Sequence, residues 1–229
     1  MADADRFDKC LTRLKGKGFA PAGILDVGAH DGRWARTARA HFPDSRILMV
    51  DALSEKQATL RDVCAAIGNA EFEIVLLGDE DLPAVPFFVV NADTTNGLTQ
   101  SGSSKFRENT SFPIEERRVP QRSLRSLLAS LPDPFELLKL DVQGAELDVL
   151  RGAQERLSAL QVIMMEIALV QYNRGAPLIG KVLAGMAEFG FVLYDIIEEH
   201  RYPAGEHLMQ IDGIFVRPDS HFRLQPPIF

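Results

Sequence analysis

Cysteine is scarce in this chain of 229 residues: only Cys10 and Cys64 occur, far apart and both in segments that read as helices. That excludes a disulfide framework and fits a reducing cytoplasm, the expected location. Long apolar runs are missing as well, since no uninterrupted stretch approaches the ~18 residues that a membrane-crossing helix requires. The opening residues, Met-Ala-Asp-Ala-Asp-Arg, lack the basic start and apolar run of a signal peptide. A soluble protein with no membrane partner is therefore expected. Positive charge is in deficit, the formal net charge being −7. This excludes a broad phosphate-binding surface and, with it, nucleic acid as an expected partner. The one basic cluster, Arg117, Arg118, Arg122 and Arg125, reads as a solvated edge and helix face. The five histidines show no metal-ligand spacing, and there is no internal repeat.

What the chain does have is apolar periodicity. Its length suits one well-buried core, so residues 1–229 are expected to form a single domain. Phe7, Cys10, Leu11 and Leu14 recur at helical spacing with Gly16 and Gly18 behind them, which predicts a helix within residues 1–20 packed across the edge of the core. Short apolar strands then alternate with helices: a strand at Ile24–Val27, a helix over Arg33–His41, a strand at Arg46–Asp51, a helix from Ser54 to about Ala66, and a strand from Glu71 to Leu77. Such repetition belongs to a parallel sheet covered on both faces. Between Asp79 and Pro132 the regularity breaks. Val85–Asn91 reads as an extra strand and the Thr-, Ser-, Asn- and Gly-rich segment 92–109 as a long exposed loop, making 92–122 a candidate substrate loop or lid. Ser123 caps a short helix, and strands at Phe135–Leu140, Val162–Ile167, Phe191–Ile196 and Gly213–Arg217 follow, with helices over Gly144–Leu150 and Leu178–Phe189. Only a polar connection separates the last two strands, too short for a parallel crossover, so they should pair antiparallel.

Two segments carry chemistry. The first is Gly23-Ile-Leu-Asp-Val-Gly-Ala-His-Asp-Gly32, an apolar strand that stops in a Gly-rich turn at the start of a helix. Dinucleotide loops place glycine where the backbone touches pyrophosphate, but here His30 occupies the middle glycine's place while Asp26 and Asp31 add negative charge. That arrangement repels a pyrophosphate and favours a cation such as the sulfonium and ammonium of S-adenosylmethionine. Asp51, closing the second strand, is placed to accept hydrogen bonds from ribose hydroxyls, with Ala52 beside it, and Gly78-Asp79 to meet the adenine edge. The candidate cofactor residues are thus Asp26, Gly28, His30, Asp31, Gly32, Asp51, Ala52, Gly78 and Asp79. The second segment is Leu138-Lys-Leu-Asp-Val-Gln-Gly-Ala-Glu-Leu-Asp-Val-Leu-Arg-Gly152. Alternation puts Lys139 and Asp141 on one side of a strand, with Asp141 at the carboxyl edge where open sheets bind ligands. Glu166 closes the neighbouring strand and faces the same crevice. Tyr172 and Asn173 follow it, where they either touch substrate or turn the chain.

These segments resemble the FkbM-type methyltransferase family. The likeness rests on Leu25-Asp-Val-Gly-Ala-His-Asp-Gly32, Asp51, Gly78-Asp79, Leu138–Ala153, Met165-Glu-Ile167 and Gly190-Phe-Val-Leu-Tyr-Asp195. It implies a Rossmann-like class I methyltransferase fold: a seven-stranded, mostly parallel sheet with an antiparallel final strand and helices on both faces. It also implies S-adenosylmethionine-dependent methylation of a hydroxyl on a sugar or secondary metabolite. The family usually has Glu where Gln143 stands, so no base can act from that position here.

Hydroxyls ionise poorly near neutrality, so transfer to oxygen needs a base or a metal. Asp141 and Glu166 are the expected acids beside the acceptor, with Lys139 orienting them. Mg²⁺ enters only if a third oxygen ligand joins Asp141 and Glu166, and none is recognisable, so no metal is expected. Two other readings share the fold: an NAD-dependent oxidoreductase, and a cofactor-binding domain without turnover. The sequence leaves the oligomeric state open, a homodimer included.

Overall fold

Helix α1 (Ala2–Gly16) opens the computed structural model, which describes residues 2–91, 100–132, 134–202 and 206–223, with side chains from residue 6 onward. Its apolar stripe, Cys10, Leu11 and Leu14, is buried. Strand β1 (Gly23–Val27) is buried along its whole length, as a strand with a covered surface on each side must be. Helix α2 (Arg33–His41), strand β2 (Arg46–Asp51), helix α3 (Gln57–Ile67) and strand β3 (Ala70–Ile74) follow.

At Val75 the chain leaves this sheet. Strands β4 (Leu76–Gly78), β5 (Leu82–Val90) and β6 (Ile114–Ser123) form a separate three-stranded sheet in the order β4-β6-β5. The anticipated single strand over Glu71–Leu77 is therefore two strands in two sheets. Residues 92–99 of the anticipated loop lie outside the described residues, and its last part, from Ile114, is strand rather than loop. Alternation in β6 was obscured because its exposed positions carry Glu115, Glu116 and Arg118, while Arg117 pairs with Glu115 and Glu55.

After helix α4 (Leu124–Leu128), whose N-terminus is capped by the Ser123 hydroxyl, come β7 (Leu137–Leu140), α5 (Glu146–Ala153), β8 (Val162–Ala168), α6 (Ile179–Glu188), β9 (Val192–Tyr202) and β10 (His207–Val216). The large sheet has the order β3-β2-β1-β7-β8-β10-β9. Only β10 runs antiparallel to its neighbours, having slipped between β8 and β9. The expected antiparallel pair is present and longer at both inner ends than sequence suggested. On one face Leu11, Leu14, Ala35, Leu60 and Val63 pack against Ile24, Met49, Met164 and Ile214. On the other, Leu127, Leu147, Val149, Val182 and Met186 pack against Leu25, Leu48, Leu138, Ile163 and Phe215. Among the described residues no helix is long and apolar enough to cross a membrane.

Strand register sets the chemistry at the carboxyl edge. Val50, Val27, Leu140 and Met165 stand side by side in β2, β1, β7 and β8, so the next positions, Asp51, Gly28, Asp141 and Glu166, form a row. Glu166 pairs with Asp212 of β10, which pairs with Glu198 of β9. A line of acids thus runs from β2 to β9, interrupted only at Gly28.

Candidate functional site

Gly28 has to be glycine. Its φ is +77°, and a Cβ there would lie 1.9 Å from the Asp141 carbonyl oxygen. Beside this close approach of β1 and β7, a cavity of about 950 Å³ lies at the sheet edge, lined in part by residues of the segment 100–112. Pockets of this size accept a cofactor-sized ligand with room beside it.

At one end, Asp51 organises two turns at once. Its Oδ2 accepts from the His30 backbone N–H at 2.7 Å and its Oδ1 from that of Leu53 at 2.9 Å. The turn after β1 and the turn after β2 are thereby locked together around one carboxylate. His30, at φ +50°, has its Nε2 2.8 Å from Lys56 Nζ. Asp31 is paired with Arg33 at 3.0 Å. Gly28, His30, Asp31, Asp51 and Ala52 all line the cavity, with Leu53 and Val75 to Leu77 as an apolar wall.

Four expected cofactor residues do not line it. Asp26 is fully buried, one layer below the row, where Lys139 Nζ lies 3.3 Å from its Oδ1. Gly32 is the left-handed N-cap of α2 and faces the Val63 side chain of α3, so its job is packing. Gly78 and Asp79 are carried off by the switch at Val75: Gly78 backs onto Gln121 and its carbonyl abuts Gly152 of α5, while Asp79 accepts a 3.4 Å hydrogen bond from Gln121. The residues of this stretch that do line the cavity are the preceding apolar ones, Val75, Leu76 and Leu77.

At the other end Lys139, Asp141, Glu166 and Tyr172 converge. Lys139 is buried and its ammonium is surrounded: it donates to the Gly28 carbonyl at 2.7 Å and lies 3.3 Å from Asp26 and 3.5 Å from Asp141. Its pKa is raised because, although burial opposes its charge, Asp26 and Asp141 favour it. Such a lysine stays charged and positions groups. Asp141, by contrast, keeps 42% of its side chain exposed to the cavity. Glu166 is partly buried, and its carboxyl is pushed up to about 8, first by desolvation and then by the like charge of Asp141. The Tyr172 hydroxyl lies 2.6 Å from Glu166 Oε1 and 2.8 Å from Gln210 Oε1. Asn173 is buried behind this wall and donates to the Gln143 carbonyl at 2.9 Å, so it supports the loop and does not line the cavity.

Gln143 cannot act as a base, but it makes contacts of its own in the site. At φ +56° its side-chain nitrogen reaches Asp141 Oδ1 at 2.9 Å and Glu166 Oε2 at 3.1 Å. Glu146, in the first turn of α5, is buried and accepts from the Val142 and Gly144 N–H groups, with its carboxyl raised to about 7 by burial. Gln210 comes from β10, distant in sequence, and no local signal could have found it. His200 sits 2.9 Å from Asp212 towards the end of the acidic row.

Glu166 predicts a stability dependence on pH. An unfolded glutamate titrates near ~4.3, below the folded value of about 8. Below the unfolded value both states hold the proton and the contribution is complete; as pH rises through the folded value it is lost, because ionisation is easier in the unfolded chain. Thermal melts of wild type and Glu166→Gln across this window should show the variant's Tm rising relative to wild type with pH. Parallel curves would contradict the protonated state of Glu166.

Comparison with known proteins bears on the whole arrangement. The sequence model of the methyltransferase FkbM domain family matches residues 26–193. No curated protein matches the chain. Among solved structures, WbdD aligns over 94% of this chain and 40% of its own, at 12% identity and a TM-score of 0.52. A second structure, of the bifunctional kinase-methyltransferase WbdD, aligns over 93% of this chain and 38% of its own, at 12% identity and a TM-score of 0.51. The precorrin-6y C5,15-methyltransferase of Geobacter metallireducens GS-15 aligns over 90% of this chain and 84% of its own, at 12% identity and a TM-score of 0.49. This chain thus spans about two fifths of WbdD. At such identity the likeness is one of fold, that of class I methyltransferases.

Proposed function

The chain belongs to the FkbM methyltransferase family, whose members depend on S-adenosylmethionine, and we propose that it methylates a hydroxyl group of a small molecule such as a sugar or secondary metabolite. The residues present fit that cofactor. The end of the cavity around Asp51 offers a carboxylate whose oxygens each retain a lone pair, beside an apolar wall suited to a purine, and the adjoining acids suit its positive charge. When bound, S-adenosylmethionine supplies an activated methyl group on a good leaving group.

The observation that carries the reading is Asp141: a carboxylate open to the cavity, held by Gln143 from one side and Lys139 from another. It accepts the proton of an acceptor hydroxyl as that oxygen gains its methyl group, while Glu166 and Tyr172 wall the acceptor end and keep water out. Lys139 works through Asp141 and does not touch the reacting atoms. Two acids at one mouth with a buried cation between strands also suit a neutral polyol better than an anionic acceptor.

Incubation with carbon-13 methyl-labelled cofactor and extracts of the source organism, followed by NMR of the labelled small molecule, tests this. A methoxy signal is expected; a methyl on nitrogen or carbon would overturn the oxygen assignment. Cofactor binding has its own test. Asp51→Ala removes two hydrogen bonds to a charged acceptor, each worth ~1.5–3 kcal/mol, and loosens both turns. Calorimetry should show affinity for S-adenosylmethionine falling by roughly 10- to 100-fold, with the melting curve still cooperative.

A further inference from the structure

We propose that Gln143 is a positioning residue for the acceptor site: one N–H of its side-chain amide holds Asp141, the other holds Glu166, and this clamp gives the two acids separate roles. The inference rests on the reading of Asp141 as the proton acceptor. Its geometry begins in the backbone. Gln143 sits in the left-handed region, which a side chain adopts at a cost, and its carbonyl accepts from Asn173 Nδ2 at 2.9 Å and from the buried Ser104 hydroxyl at 2.9 Å. Two side chains from outside the β7–α5 loop therefore hold the corner that aims the amide.

Orientation of the amide follows from its partners. Both contacts are carboxylate oxygens, so the NH₂ group must face them; turned around, the amide oxygen would confront two acceptors. One consistent direction then runs through the whole network. The Tyr172 hydroxyl has one proton and two neighbours, Glu166 Oε1 and Gln210 Oε1. Both contacts are hydrogen bonds when Glu166 carries a proton on Oε1, donates it to the tyrosine oxygen, and Tyr172 donates onward to Gln210. Glu166 Oε2 is then free to accept from Gln143. Asp141, with Lys139 at 3.5 Å, is the charged member of the pair. The groups facing Glu166 are Asp141, Tyr172, Asp212 and Glu146, so like charge surrounds it from β7, β10 and α5, and its raised titration agrees with the network.

A neutral donor between two acids does what a third acid could not. Glutamate at this position would share protons with both, and neither would have a fixed charge. The amide keeps them apart, one as an open base and one as a neutral wall.

Carbon-13 NMR of protein labelled at glutamate side-chain carboxyls, saturated with S-adenosylhomocysteine, tests the clamp, the Glu166 signal being assigned with Glu166→Gln. In wild type it should titrate near 8. Gln143→Met, which keeps the backbone anchors and removes the donor, should move that midpoint upward by about one pH unit. Gln143→Glu should also raise it and broaden the transition as two acids share protons. A residue that only supported the backbone would leave the midpoint in place. The inference is overturned if Glu166 titrates like an ordinary glutamate in wild type, or if its midpoint in both variants stays where it is in wild type. Should S-adenosylhomocysteine not bind, the proposed function fails, while the titration of the unliganded protein still decides the clamp.

Discussion

Asparagine in place of Asp141 is expected to lower kcat for methyl transfer by about 100- to 10,000-fold, the usual range for removing a general base. The substitution keeps the shape of the side chain and an oxygen that accepts from Gln143, so the row of strand ends stays in register. Only the capacity to take a proton is lost. Initial rates with the labelled acceptor measure the effect, and calorimetry with S-adenosylmethionine should show affinity close to wild type. A loss of less than tenfold would mean that acceptor deprotonation does not pass through this carboxylate. A loss of cofactor binding instead of rate would place Asp141 on the cofactor and leave the base unassigned.

Methionine in place of Lys139 should destabilise the protein by about 3–5 kcal/mol, the cost of leaving one member of a buried ion pair alone. Asp26 is fully buried, neither of its carboxylate oxygens has a partner in hydrogen-bond geometry, and Lys139 at 3.3 Å is its compensating charge. The same ammonium donates to the Gly28 carbonyl, so the lysine also fastens β1 to β7 just where the cavity opens. Urea unfolding should show the deficit, and it should shrink as the pH is lowered, because Asp26 then folds uncharged. The double variant Lys139→Met with Asp26→Leu should recover most of the loss, since a buried pair replaced by apolar groups is often neutral in stability. If the double variant is as unstable as the single one, the stabilising element is the bond to Gly28 and not the ion pair.

Much of the arrangement was written in local pattern. Short apolar strands followed by helices gave the parallel sheet, and an acid after each apolar run placed Asp51, Asp141 and Glu166 at its carboxyl edge. What escaped depended on partners far along the chain. The three-stranded sheet needs β4 to abandon β3 in order to join β6, some forty residues later, and nothing in Leu76–Gly78 announces it. Asp26 looked like a ligand because its residue type fitted; its depth is fixed by Lys139 on another strand. Gln143 stood in the family motif as an uncharged departure from it, and its value appears only when the φ of its own backbone and two acids from different strands are seen together.

The place of β10 has a consequence for how the chain assembles. β9 leaves the ribosome first but cannot dock, because the strand it pairs with has yet to be made, and β8 meanwhile presents an open edge. When β10 arrives it takes the place between them, pairing with both and delivering Gln210 and Asp212 to the neighbourhood of Glu166. The half of the sheet around β1 and β2 can therefore mature early, whereas the half around Glu166 waits for the last strand, and hydrogen exchange during refolding should find β1 and β2 protected before β8.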